Sequence, residues 1–141
     1  MKVTFTKKVA MSLAALLAAP AMVQVHAFAA TATVALGAVQ LAGAKGTAAH
    51  RLLGWGWVVL MAAVALTSAS ITVRNGPGHY SFLHGFSALV LLLLPLGVLA
   101  ARRGRQQGHR HIMVGLFVWA LLVTGGFTLM PGRIMHQVVF G

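Results

Sequence analysis

Four stretches of this chain, 24–43, 52–73, 80–100 and 112–130, contain no Lys, Arg, Asp or Glu, and Ala, Leu, Val and Gly make up much of each. Everything else in the fold must accommodate them. A bilayer's hydrocarbon core is about 30 Å thick and takes roughly 20 helical residues to cross, so each stretch is long enough to span one. Backbone N–H and C=O groups in lipid must pair within their own segment, so each stretch predicts a helix. The breaks are Gly43-Ala44-Lys45-Gly46, Arg74-Asn75-Gly76-Pro77-Gly78 and Arg102-Arg103-Gly104-Arg105, and Pro131-Gly132-Arg133 ends the last run. Such short linkers make consecutive helices antiparallel neighbours. The expected fold is all-α: an integral membrane four-helix bundle of two antiparallel helical hairpins, one domain over 24–141.

The charge balance narrows what such a bundle can do. Of 141 residues only 8% are charged, against about a quarter in a soluble domain. There are 11 Lys and Arg and no Asp or Glu. The basic residues stand in short clusters between uncharged runs, which argues against nucleic acid and for a lipid bilayer as partner, with Lys and Arg at headgroup phosphates. Without a carboxylate there is no acidic acid/base pair, no acidic proton relay and no orienting partner for a Ser–His pair. Without cysteine there is no disulfide, no thiolate nucleophile and no iron–sulfur cluster. Most enzyme chemistry is closed to this chain.

The first 23 residues form a separate unit. Lys2, Lys7 and Lys8 precede an apolar stretch from Val9 to Ala19 that stops at Pro20. This start resembles a signal peptide, with Val25-His26-Ala27 as a small-residue cleavage site. The apolar character continues past that site, which favours an uncleaved segment lying against or partly within the membrane and kinked at Pro20. The linkers after the first and third spans carry Lys45, Arg51, Arg102, Arg103, Arg105 and Arg110, whereas the other side carries Arg74 and Arg133. By the positive-inside rule the first group faces the cytoplasm, in a bacterial inner membrane.

The histidines follow the spans. His26 and His84 lie near the outer ends of the first and third, and His50, His109 and His111 near the inner ends of the second and fourth. At about 1.5 Å per residue, the step from His26 to His50, or from His84 to His109, crosses the bilayer. In a sequentially wound bundle, spans one and three are diagonal, as are two and four. Each diagonal pair then carries histidines at matching depth, and two neutral imidazoles across such a gap can hold the axial positions of a haem iron. His26 with His84, and His50 with His109 or His111, are the candidate ligands of a b-type haem. Ala27, Ala29, Ala30, Gly54, Gly56, Gly85 and Gly115 are small enough to admit a macrocycle. The plainer alternative is that each histidine reaches the headgroups from a helix end, beside an Arg. His79 and His136 read as interfacial.

The remaining features read as structural. Trp55 and Trp57 predict an interfacial aromatic belt, and the deeper Trp119 predicts core packing. Gln40 needs a partner inside the bundle. Ser68, Ser70, Thr72, Thr124 and Thr128 can bond between helices or to their own carbonyls. Pro95 predicts a kink, Gly125-Gly126 close packing or bending, and Met61, Met113 and Met130 apolar filler.

Four stretches, AVQLAGAKGTAAHRLLGWGWV, FLHGFSALVLLLLPLGVLAARRG, GHRHIMVGL and FTLMPGRIMHQVVFG, resemble a bacterial family of four-helix integral membrane proteins, a domain of unknown function. That resemblance covers about 20–141 and implies architecture without an activity. HRLLGWGWVVLMAAVAL and HYSFLHGFSAL are more faintly similar to the ascorbate-reducible transmembrane cytochromes b, which implies His26 with His84 and His50 with His109 or His111 as haem ligands. The flanking helices of that family are lacking here, as is a clear ascorbate-binding pattern. The expected function is a transmembrane electron carrier. The alternatives are a small transporter, or an accessory subunit docked on a larger membrane protein or on a second copy of itself. The absence of a membrane carboxylate argues against cation-coupled export.

Overall fold

The computed structural model describes residues 14–73 and 82–140. The described residues are helical with no strand. A turn of helix at 14–17 ends before Pro20, and then come α1 (Ala21–Ala42), α2 (Ala48–Val73), α3 (Phe82–Arg102) and α4 (Gln106–Thr128), followed by a short α5 (Ile134–Phe140). Helices α1 to α4 are each long and apolar enough to cross a membrane. Arg74 to Ser81, with His79, and residues 1–13 lie outside the described residues.

Two helices begin earlier than hydropathy predicts: α2 at Ala48 rather than 52, and α4 at Gln106 rather than 112. Hydropathy reports where apolar side chains start, but the hydrogen-bond ladder extends into the polar residues before them. Thr47 starts α2 by accepting the His50 backbone N–H on its hydroxyl at 3.0 Å, which satisfies one of the first-turn donors. His50, His109 and His111 therefore sit inside first and second turns, not ahead of them.

The linkers solve the opposite problem, unpaired carbonyls at helix ends. The Lys45 ammonium donates to the carbonyls of Gln40, Leu41 and Gly43 at 3.0, 2.6 and 2.6 Å, closing the end of α1. At the end of α3, Gly104 takes φ +70°, its N–H reaches the Ala101 carbonyl at 3.1 Å, and the Arg105 N–H reaches Ala100 at 2.8 Å. This is a Schellman ending, and the left-handed position is why glycine stands there.

Neighbouring helices pack in chain order, α1 on α2, α2 on α3 and α3 on α4, and α4 returns to α1. Between α1 and α2 the partners retreat as the chain advances: His26 meets Thr67, Thr33 meets Trp57 and Gln40 meets His50. The core is formed by Trp57, Met61 and Ala65 from α2, Val90 and Leu94 from α3, and Leu116, Phe117 and Leu121 from α4. On α2 these recur every four residues, one helix face. From α1 come Thr33 and Gly37, also four apart, and Thr33 sends its hydroxyl back to the Ala29 carbonyl at 2.6 Å. Outward-facing side chains are large and apolar, Leu52 at 74% exposure and Val59 at 64% among them. Lipid, not water, matches that surface.

Two expectations are corrected. Trp57 is no belt residue: it is 5% exposed and its indole N–H donates to the Thr33 carbonyl at 3.1 Å. Trp119 is no core residue: it is 63% exposed. The cause lies in α4, whose middle, Leu116–Val123, is wound as a π-helix. Its wider turn brings Leu116, Phe117 and Leu121 inward together and turns Trp119 out. Helix α3 continues on both sides of Pro95, which is exposed. Of the two roles expected for Gly125 and Gly126, close packing is not taken up: no side chain of the described residues comes within 4 Å of where their Cβ atoms would lie.

Candidate functional site

The two helices that supply His50 and His109 bring polar groups together at the end of the bundle where linkers 43–47 and 103–105 lie. The Gln40 side-chain amide donates to the His50 carbonyl at 2.9 Å, so the most polar group of α1 finds its partner on α2. Gly54 is what admits it: a Cβ there would lie 3.0 Å from Gln40 Nε2. The ring of His50 is within electrostatic reach of His109. Its Nδ1 is shielded from solvent and has no hydrogen-bond partner among the described residues. His109 is fixed from α3, with Nδ1 2.9 Å from the Gly97 carbonyl. A carbonyl only accepts, so Nδ1 carries the proton, and in the neutral ring Nε2 keeps its lone pair.

His111 is exposed. Two residues apart on a helix is roughly 200° of rotation, so His109 and His111 face different ways. His109, not His111, is the histidine brought toward His50.

At the opposite end, His26 Nδ1 lies 2.9 Å from the Thr67 hydroxyl oxygen. That hydroxyl has a single hydrogen, and its nearest acceptor is the Ala63 carbonyl at 2.7 Å. The Val64 carbonyl also bonds the His26 ring, so the ring is held against α2 by a hydroxyl and a carbonyl together. His26 is engaged by α2, a neighbour in the bundle. His84 sits in the first turn of α3, partly buried, one turn before the buried Ser87. His136, on α5, bonds the Leu129 carbonyl at 2.8 Å through Nδ1 and stacks on Phe140 at 5.0 Å.

These donors test the haem expectation. An imidazole whose Nδ1–H is tied to a carbonyl or hydroxyl is held in the tautomer and orientation that metal ligation through Nε2 requires. His109 meets that condition through the Gly97 carbonyl, and His26 is held against Thr67 at the other end. Among the described residues no three His, Cys, Asp or Glu converge on a metal position, so a site here would have to use histidine pairs. The small residues expected to admit a macrocycle divide. Gly54 faces Gln40 and Gly56 faces Leu36 at 3.6 Å, while Gly85 and Gly115 have nothing among the described residues within 4 Å of a Cβ position.

Sequence reasoning missed the two glycines under closest contact. A Cβ on Gly37 would lie 2.5 Å from Phe117 and 2.8 Å from Trp57 Nε1, and one on Gly97 would lie 2.5 Å from Met113. No local signal marks either, because both answer to a bulky residue on another helix.

Compared with known proteins, the chain matches no family model, no curated protein and no solved structure. Its function must be inferred from its own side chains.

Proposed function

We propose that this chain is a multi-pass protein of the bacterial cytoplasmic membrane, folded as two antiparallel hairpins, that binds b-type haem and carries electrons across the bilayer. The observation that carries the reading is the fixing of His109 by the Gly97 carbonyl, which takes its Nδ1–H and leaves Nε2 as the donor of the neutral ring, with His26 held against Thr67 near the opposite end. The Nδ1 of His50, shielded and without a hydrogen-bond partner among the described residues, supports His50 as a second donor at that end. Retreating contacts along α1 and α2 support the antiparallel arrangement.

Haem iron supplies one-electron redox chemistry when bound between histidines. The chain's own contributions are separate from that. His109 and His50 would hold the inner position, and Gly97 orients His109 through its carbonyl. Gln40 ties the backbone of His50 to α1. The core from Trp57 to Leu121 excludes water between the two ends.

The test is an absorption spectrum of the detergent-purified protein before and after dithionite. A Soret band with sharp reduced α-bands, one component of which is lost in His109→Ala and in His50→Ala, is the expected result. A colourless preparation from haem-replete cells sinks the reading.

A second reading, an accessory subunit, is favoured by the wide apolar exterior. Co-purification with a larger membrane protein, from the same colourless preparation, would establish it.

A further inference from the structure

The basic residues at the inner end fall into two groups by what they touch. The Lys45 ammonium is occupied by three carbonyls at the end of α1, and Arg51 donates to the Gly46 carbonyl at 3.0 Å. These two are structural. The other four, Arg102, Arg103, Arg105 and Arg110, lie within nine residues around the α3–α4 turn and are all exposed. Arg102 places its guanidinium 5.7 Å from the ring centre of Trp55, which is 50% exposed on α2. Among the described residues, the side chains of Arg103, Arg105 and Arg110 have no hydrogen-bond partner. Nor can an ion pair form with any side chain of this protein, because the sequence has no Asp or Glu at all.

We propose that this Arg cluster, with Trp55 at its edge, is a binding site for the headgroup phosphate of an anionic phospholipid. The proposal rests on the membrane reading above and is independent of haem. Guanidinium forks match phosphate oxygens bidentately. A Trp ring at the headgroup level, with an Arg on its face, anchors that depth. Charge complementarity chooses the occupant: several unneutralised guanidinium groups at one turn need an outside anion, and the cytoplasmic leaflet supplies one wherever the chain sits. The occupied pair Lys45 and Arg51 provides an internal control of like charge on the neighbouring turn.

The test is native mass spectrometry of the full-length protein, released from detergent micelles doped with phosphatidylglycerol, cardiolipin or phosphatidylethanolamine. The wild type is expected to retain the two anionic lipids over the zwitterionic one. Replacing Arg102, Arg103, Arg105 and Arg110 together by Gln lowers that preference by roughly tenfold or more, while replacing Lys45 and Arg51 by Gln leaves it standing. Inorganic phosphate at millimolar concentration does not displace the bound lipid. Carbonate extraction of membranes and helical circular dichroism are run on every variant, so that loss of insertion is told apart from loss of the lipid. Equal retention of all three lipids by a wild type that resists carbonate extraction overturns the proposal. So does an undiminished preference in the four-Gln variant, or capture of an acidic membrane protein by the cluster in place of lipid.

Discussion

The indole N–H of Trp57 donates to the backbone carbonyl of Thr33, 3.1 Å away, in the most fully buried part of the α1–α2 contact. A backbone carbonyl inside an α-helix already accepts from its own helix, so this bond uses its second lone pair and ties the depth of α2 to that of α1. Replacing Trp57 with Phe keeps most of the apolar volume but removes the donor. The expected cost is about 1–2 kcal/mol, a buried hydrogen bond plus the lost ring volume. Trp119→Phe, on an exposed side chain, is expected to stay within roughly 0.5 kcal/mol. Denaturation of both variants in mixed micelles decides the matter, and equal losses would contradict the exchange of roles between the two tryptophans.

Gly37 makes the contrary kind of demand. A methyl group there would lie 2.5 Å from Phe117 Cδ2, a ring that is itself buried and cannot swing clear. Gly37→Ala is therefore expected to destabilise the protein by about 1–3 kcal/mol through overpacking. Adding Phe117→Leu should recover part of the loss. Gly126→Ala has nothing within 4 Å of its new methyl, and by helix propensity alone it should be neutral or stabilising by up to about 1 kcal/mol. A Gly37→Ala protein as stable as Gly126→Ala would show that α1 and α4 do not meet as described.

These two residues also mark where the sequence stops being informative. Helix number and approximate position were legible because lipid imposes one rule on every residue of a span. Gln40 was legible too, since a lone amide in an apolar run must find a partner. Trp57 and Trp119 were not, because which face of a helix turns inward depends on its winding, and the π-helical turn at Leu116–Val123 has no signature in LFVWALLV. Gly37 and Gly97 were missed for a related reason: their need for glycine lies in Phe117 and Met113, far along the chain. Among the histidines, spacing placed the candidates near helix ends, but only the packing of α3 on α4 separated His109 from His111.

That separation predicts an asymmetry. His109 is held by the Gly97 carbonyl and lies toward His50, whereas His111 is exposed. If histidines at this end hold haem, His109→Ala should abolish one reduced α-band component and His111→Ala should leave the spectrum unchanged. The measurement is a dithionite-minus-air difference spectrum at equal protein concentration. A spectrum sensitive to His111 and indifferent to His109 would reverse the assignment of the ligand.

The N-terminus of α2 offers a test that is independent of any cofactor. Thr47 accepts the His50 N–H at 3.0 Å, the usual geometry of a helix cap. Its loss in Thr47→Ala should cost about 0.5–2 kcal/mol, and Thr47→Ser should restore nearly all of it. Because the capped turn carries His50 and the carbonyl that Gln40 bonds, the Ala variant should also speed amide hydrogen exchange at 48–51 more than at 57–61. Uniform exchange changes along α2 would mean that Thr47 is not the cap.

The arrangement of the two hairpins can be read directly, because a chain without cysteine gives single-cysteine labelling no background. Ala44 and Arg105 are both exposed, one in each of the turns that join α1 to α2 and α3 to α4. If the four helices each cross the bilayer, an even number of crossings separates these turns and both must lie on one side. An impermeant maleimide added to intact cells should then label neither Ala44→Cys nor Arg105→Cys when that side is cytoplasmic, and should label both after the membrane is opened. Labelling of one but not the other in intact cells would require α2 or α3, the two helices between these turns, to lie in the plane of the membrane. The six basic residues on these two turns and the helices they begin predict the cytoplasmic result. Exchanging Arg102, Arg103, Arg105 and Arg110 for Gln should weaken that bias, seen as a fraction of Ala44→Cys molecules reactive from outside.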